Sequence, residues 1–351
     1  MRFLMAGGGT GGHVIPGLAV ARELKRRGHE PFFVGTREGL EAKLVPAAGF
    51  PIEFIEIGGL NRVGAARIAR TLAQLPLATA HMAAALGRWR PAAVFSMGGY
   101  AAGPVMLAAC VRRVPMVLME PNAVPGFTNR HMGRFAARAL VNFEETARYF
   151  PRGKAEVTGV PVRPEFFALA PKPRGPRLSV LITGGSRGSR TLNNAARESW
   201  PLFREAGSAV RLVHQTGAAE HAGLAREFAA SGIEGEVVPF IDDMPAAFAA
   251  ADLVICRSGA GAVAEVAAAG KAAVFVPFPF AADDHQTRNA EVLAAAGAAR
   301  MVADREFTGR RLFEEVSGLA PETLEKMGCE ARRFARPGAA ERAADILESL
   351  G

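Results

Sequence analysis

The sequence predicts an α/β protein made of two doubly wound parallel-sheet domains. Three observations carry that reading. Short apolar runs alternate with Ala-, Leu- and Arg-rich helical stretches, the pattern of strands buried on both faces by crossover helices. Twice an apolar run leads through glycines into a helical stretch, after residues 3–5 and again after residues 178–183. A length of 351 residues, 49% of them hydrophobic and 22% charged, leaves room for two cores.

In the first half, strands are expected at residues 3–5, 31–34, 92–95, 116–119 and 139–141, with a first helix over 16–27. The Pro-rich stretches 157–164 and 170–176 read as a linker. A second alternation follows, with strands at 178–183, 209–215, 237–241, 253–256 and 273–276 and helices at 193–205, 262–269 and 285–296. A Pro-Gly break at 337–338 opens a short amphipathic helix, expected to pack back on the first domain. The domains are therefore expected to be 1–160 together with 337–351, and 161–336.

A net charge of +8 suits an anionic partner. The arginines are spread along helices, and only two Trp and two Tyr are available to stack on bases, so nucleic acid is the least supported choice. Cys110, Cys256 and Cys329 are too few and too far apart for a disulfide framework or a metal knuckle, which points to a reducing compartment. Neither a signal peptide nor a membrane-spanning helix is expected, because Met1-Arg2 leads straight into a short strand and no apolar run approaches roughly 18 residues.

Four glycine-bearing loops, at 6–13, 96–100, 184–189 and 257–261, fall where parallel strands end, the edge at which such sheets bind ligands. Gly7, Gly9 and Gly12 satisfy the dinucleotide fingerprint G-x-G-x-x-G. A nicotinamide site also wants an acid after the second strand to hold the ribose. Val34 is instead followed by Gly35-Thr36-Arg37, where Arg37 keeps an NADP-dependent oxidoreductase open. Glu265, after Arg257-Ser258-Gly259, is better placed as a ribose acid and moves a nucleotide to the second domain. No Asp-x-Asp pair follows a first-domain strand, and Asp242-Asp243 and Asp283-Asp284 read as loop or helix-start features, so neither a metal nor another cofactor is expected.

Gly8-Gly9-Thr10-Gly11-Gly12-His13-Val14, Met97-Gly98-Gly99-Tyr100, Gly184-Gly185-Ser186-Arg187-Gly188-Ser189-Arg190 and Cys256-Arg257-Ser258-Gly259-Ala260 together resemble the successive signatures of the MurG family of bacterial peptidoglycan glycosyltransferases. The likeness runs in order from the N-terminus to about Asn289. It implies the GT-B fold, two Rossmann-like domains facing across a cleft. It also implies inverting transfer of N-acetylglucosamine (GlcNAc) from UDP-GlcNAc to the C4 hydroxyl of N-acetylmuramic acid (MurNAc) in undecaprenyl-diphospho-MurNAc-pentapeptide, lipid I, giving lipid II. Another UDP-sugar enzyme of the same fold and a nucleotide-binding membrane adaptor remain the alternatives beside the oxidoreductase.

On this resemblance the donor would meet Thr10, Gly11, Gly12, Asn122, Arg163, Gly185, Ser186, Arg187, Gly188, Ile241, Ala260, Glu265, His285 and Gln286. Within that set Gly185–Gly188 take the diphosphate, Ile241 the uracil through its backbone, Glu265 the ribose, and His285-Gln286 the sugar. The acceptor diphosphate would lie against Gly9, Thr10, Gly11, Gly12, Gly98, Gly99 and Tyr100. His13 is the candidate general base, or else only a hydrogen-bond partner of its loop or of the lipid diphosphate. Met119 departs from the polar residue the family often carries before Glu120, and Glu120 itself either reaches the ligand or braces its loop.

A lipid acceptor asks for a docking face on the cytoplasmic side of the cell membrane. Arg67, Arg70, Leu72, Leu75, Leu77 and Trp89 combine apolar residues with flanking cations suited to an anionic inner-membrane surface. A buried amphipathic helix explains Leu72, Leu75, Met82 and Leu86 as well. Other cell-wall synthesis proteins are further expected partners.

Overall fold

The computed structural model describes residues 1–9, 11–58, 65–170, 172 and 175–351, with side chains described outside 65–70 and 72. The chain divides into two units, Met1–Pro161 with Arg336–Gly351, and Val162–Ala335.

The first unit holds seven parallel strands: β1 (Arg2–Gly7), β2 (Glu30–Gly35), β3 (Ile52–Phe54), β4 (Ala93–Gly98), β5 (Met116–Glu120), β6 (Arg138–Val141) and β7 (Ala155–Val157). Their spatial order is β3-β2-β1-β4-β5-β6-β7, so the winding reverses between β1 and β4. The apolar runs alternate faces residue by residue. Phe3, Met5, Phe95, Met97, Val117 and Met119 fill one core, while Leu4, Ala6, Val94, Leu118 and Ala139 fill the other. The C-terminal helix Ala339–Glu348 closes the first of these cores with Ala343, Ala344, Ile346 and Leu347. Arg27 pins it there, its Nη1 donating to Asp345 at 2.6 Å and to Glu348 at 2.8 Å.

The second unit repeats the plan with β8 (Leu178–Thr183), β9 (Val210–Gln215), β10 (Glu234–Val238), β11 (Leu253–Cys256), β12 (Ala272–Phe275) and β13 (Ala299–Met301). The order β10-β9-β8-β11-β12-β13 puts its reversal between β8 and β11.

Two expected elements move. The first helix spans Gly11–Arg26, so Gly11, Gly12 and His13 form its opening turn rather than the end of a loop. Glycine's low helix propensity hides that turn in the sequence. The strand expected at 237–241 is Glu234–Val238, an edge strand whose exposed positions accept Glu234 and Glu236, and Phe240 and Ile241 fall in the loop beyond it.

Among the described residues no helix is long and apolar enough to cross a membrane. The helix Ala65–Trp89 buries Met82 and Leu86 and exposes Leu77. Trp89 of the expected surface patch is half-buried, its ring edge-on to the half-buried Phe32 at 4.9 Å and packed against the core. Leu75 is half-buried, and the side chains of Arg67, Arg70 and Leu72 lie outside the described residues.

Candidate active site

Each unit gathers its glycine loops at the reversal of its own sheet. In the first, Gly7 of β1 pairs with Gly98 of β4 at an irregular step in the register, which brings the two loops side by side. Gly98 and Gly99 both take φ of +80°, a conformation that L side chains rarely adopt. A Cβ on Gly99 would stand 3.0 Å from the Gly8 carbonyl and 3.3 Å from His13 Nδ1, so the absent side chain is what lets the two loops close up. His13 Nδ1 lies 3.1 Å from the Gly8 carbonyl oxygen. A carbonyl only accepts, so in the neutral ring this contact puts the proton on Nδ1 and the lone pair on Nε2.

Glu41, which sequence reasoning missed, holds this loop. Its side chain is fully buried and accepts from the Gly9 N–H at 2.8 Å, the Thr36 N–H at 2.8 Å and the Thr36 hydroxyl at 2.9 Å. Tyr100 joins through its hydroxyl, 3.1 Å from Thr36 Oγ1. Cβ atoms on Gly8, Gly35 or Gly39 would each overlap the Glu41 carboxylate. The signal available in the sequence was the set of small residues, Gly8, Gly35 and Gly39, that leaves room for one acid side chain. Thr10 lies outside the described residues.

At the end of β5, Glu120 braces its own loop. Its carboxylate accepts from the Asn122 N–H at 3.0 Å, Asn122 Nδ2 at 3.1 Å, the Gly126 N–H at 3.1 Å and Asn129 Nδ2 at 3.0 Å. Burial still pushes its carboxyl above the ordinary value, against the pull of those donors. Asn122 therefore spends an amide proton on Glu120 while its backbone lines the loop.

In the second unit Cys256 of β11 pairs with Thr183 of β8, which sets the 184–189 loop beside the 257–259 loop. Gly185, Ser186 and Arg187 are exposed, whereas Gly188, at φ +73°, is packed so closely on Thr216 that a side chain would overlap its carbonyl. Ser189 caps the helix Arg190–Glu205 and receives Arg257 Nη2 at 2.7 Å. Arg257 also bonds the carbonyls of Val276 and Pro277 and the Asp304 carboxylate, fastening the loop to the ends of the neighbouring strands.

Gln215 is a second residue the sequence did not disclose. Its Nε2 donates to the Gly185 carbonyl at 2.8 Å and its Oε1 accepts from the Ile241 N–H at 2.8 Å. With that N–H engaged, any contact from the Ile241 backbone to a base falls to its carbonyl. Ala260 begins the helix Ala260–Ala269, which carries Glu265 one turn further on. Burial pushes the Glu265 carboxyl up to about 7, with the Arg163 guanidinium pulling it back. Arg163 itself is exposed and stacks over Phe166 at 5.2 Å.

His285 and Gln286 open the helix His285–Ala295, directly after Asp283 and Asp284, both at φ +51°. That left-handed pair is strained, and Asp284 Oδ1 accepts from Thr287 Oγ1 at 2.7 Å, a helix-start role. Gln286 Oε1 accepts from the Phe278 N–H at 3.0 Å, and His285 Nδ1 lies 2.7 Å from the Ala282 carbonyl. Among the described residues no three His, Cys, Asp or Glu side chains gather where they could hold a metal ion.

Two doubly wound units, each opening a glycine loop at its switch point, form the architecture of the GT-B glycosyltransferases. The model of the glycosyltransferase family 28 N-terminal domain matches residues 3–141, and that of the family 28 C-terminal domain matches residues 179–349. A protein of Solibacter usitatus named UDP-N-acetylglucosamine--N-acetylmuramyl-(pentapeptide) pyrophosphoryl-undecaprenol N-acetylglucosamine transferase is 63% identical, across 99% of this chain and 96% of its own. A protein of the same name from Myxococcus xanthus is 41% identical, across 100% and 93%. The crystal structure of Acinetobacter baumannii MurG superposes with a TM-score of 0.84 at 34% identity, covering 99% of both chains. The chain belongs to glycosyltransferase family 28 and, within it, to the MurG family.

Proposed function

We propose that this protein transfers GlcNAc from UDP-GlcNAc to the C4 hydroxyl of MurNAc in lipid I, with inversion at C1, to give lipid II. The observation that carries the reading is the 63% identity over 99% of the chain to a relative named for that transfer.

The first unit takes the acceptor, with the lipid diphosphate against the N–H groups of the first helix turn and the Gly98–Gly99 loop. His13 Nε2 removes the C4 hydroxyl proton as the oxygen attacks C1. The bond from C1 to the diphosphate oxygen breaks on the opposite face, and UDP departs with the electron pair. Charge then grows on the diphosphate, as on any departing group at an anomeric carbon. The N-terminus of the helix Arg190–Glu205, capped by Ser189, supports that charge, an effect typically worth about 0.3–1 kcal/mol and up to ~2 when partly buried. Ser186 and the Gly185–Gly188 backbone hold the diphosphate, Arg163 assists there, Glu265 takes the ribose hydroxyls, and His285-Gln286 orient the sugar.

A transfer assay with UDP-GlcNAc and a lipid I analogue tests the reading directly. A β1→4-linked GlcNAc product is expected; UDP-GlcNAc binding without transfer would replace the enzyme with a binding protein, and a thermal shift from NADPH alone would restore the oxidoreductase.

Glu265 gives the donor site a pH dependence. Ribose hydroxyls donate to a carboxylate, and a free-state value of about 7 means the acceptor form dominates only above neutrality. UDP-GlcNAc affinity therefore rises about tenfold from pH 6 to pH 8 and levels off above that, because bound ribose favours the ionised form. Calorimetric titration of the wild type beside Glu265→Gln checks it: the variant binds weakly with a flat profile, and an unchanged slope would remove Glu265 from the ribose.

The lipid acceptor requires a surface at the cytoplasmic face of the bacterial membrane. Leu77, 75% exposed on the helix Ala65–Trp89, and Val111, 70% exposed at the end of the helix Ala102–Arg112, support docking there, and Arg67 and Arg70 earlier in the first of these helices supply positive charge for anionic lipid. The protein is expected to sediment with phosphatidylglycerol vesicles and not with phosphatidylcholine vesicles, and Arg67→Glu with Arg70→Glu to abolish this. Trp89→Phe leaves sedimentation unchanged, since the indole faces Phe32.

A further inference from the structure

The second unit holds a cavity of about 990 Å³ at the ends of its strands opposite the glycine loops. Leu178 at the start of β8 and Ala272 at the start of β12 lie in its lining, so a six-residue strand, roughly 20 Å, separates it from the 184–189 loop. Leu169 and Lys172 line one side, and the helix Pro321–Arg332, with Leu324 and Cys329, lines another.

Three cations, buried Lys271, half-buried Lys172 and exposed Arg332, lie in its lining with Asp252. Lys172 Nζ donates to Asp252 Oδ2 at 2.7 Å, and the same oxygen accepts the Ser179 N–H at 2.8 Å. Lys271, only 9% exposed, donates to the carbonyls of Ala251 at 2.7 Å and Ala249 at 3.3 Å. Arg332 Nη2 donates to the Ala269 carbonyl at 3.0 Å. Burial holds the Lys271 ammonium below its ordinary value; Asp252 raises it, while Lys172 and Arg332 lower it further. Arg177 and Arg333, also in the lining, pair outward with Glu234 and Glu330, and Glu325 stands with Leu324 on the helix.

The lining holds Lys172, Arg177, Lys271, Arg332 and Arg333 against Asp252 and Glu325, and an anion would offset that excess of positive charge beside the buried Lys271. The described lining carries no aromatic ring on which a base could stack, and its apolar part is aliphatic. We propose that this cavity binds an aliphatic phosphate, its phosphate seated among Lys172, Lys271 and Arg332 and its hydrocarbon along Leu169, Leu178 and Leu324.

Cys329, exposed in the lining, reports occupancy, and mass spectrometry separates its labelling from that of half-buried Cys110 and buried Cys256. In the full-length protein, n-octyl phosphate below its micelle-forming concentration is expected to slow maleimide labelling of Cys329 saturably, by at least tenfold. Octyl glucoside, inorganic phosphate and UMP at equal concentration leave the rate within twofold. Phosphatidylglycerol vesicles also leave it unchanged, which separates a dispersed phosphate from a bilayer headgroup. Lys172→Gln, at a half-buried position, raises the half-protecting concentration at least fivefold with an unchanged melting curve, and Arg332→Gln repeats the test at a second cation. Equal protection by octyl glucoside, protection by UMP or vesicles instead, no protection, or full protection in both variants overturns the proposal.

Discussion

His13→Ala is expected to lower turnover roughly 10²–10⁴-fold while leaving UDP-GlcNAc affinity within about twofold, because in the proposed mechanism the imidazole on the first helix turn acts only as the C4 proton leaves. The geometry makes the base role specific to one nitrogen. Nδ1 faces the Gly8 carbonyl at 3.1 Å, so the neutral ring presents its lone pair at Nε2. His13→Asn separates base from brace, since its amide can still donate to a carbonyl near the position of Nδ1 but offers no comparable base. Steady-state rates at saturating donor decide the matter. If the Asn variant keeps most of the wild-type turnover, the ring only braces its loop. Loss of turnover in both variants, with the donor KM unchanged, assigns the base.

Glu41→Ala is expected to destabilise the protein by about 3–5 kcal/mol and to lower turnover further than its distance from the chemistry suggests. The change strips three donors of a charged acceptor and leaves the Gly9 and Thr36 N–H groups without it. Glu41→Gln keeps the volume and one acceptor oxygen, so it retains part of the stability. It must surrender either Gly9 or Thr36, because an NH₂ group cannot accept. Thermal melting gives the first number. Initial rates at saturating UDP-GlcNAc give the second, with the donor KM expected to stay near wild type. A donor KM that rises with the fall in rate would mean that Glu41 supports the fold generally rather than the glycine loop that leads into the helix turn of His13.

The contrast between these two residues shows what a sequence exposes. His13 is legible because it ends a glycine run between a strand and a helix, a pattern with few physical uses. Glu41 is not, because Arg37-Glu38-Gly39-Leu40-Glu41 reads as a solvated turn; its role depends on Gly8 and Gly35, which only the pairing of β1 with β2 brings near it. The central strands announce themselves as apolar runs because both faces are buried. β3, β7 and β13 are three-residue strands outside the central pairs, too short to carry a pattern. Gln215 ends β9 as one polar residue among apolar ones, and nothing local says that it reaches both Gly185 and Ile241. Trp89 follows Arg88 at the end of an amphipathic helix and so suggests an interface, and nothing local says that half of it packs edge-on to Phe32 on β2.

The return of Arg336–Gly351 to the first unit sets an order on biosynthesis. A ribosome delivers β1 to β7 first, then all of the second unit, and last the residues Ala343, Ala344, Ile346 and Leu347 that complete the core beneath β1 and β4. Until those residues emerge, the helix Gly11–Arg26 lacks the neighbour that Arg27 grips, and that helix carries His13 on its first turn. The second unit can therefore complete its core before the first, whose core waits for the helix Ala339–Glu348.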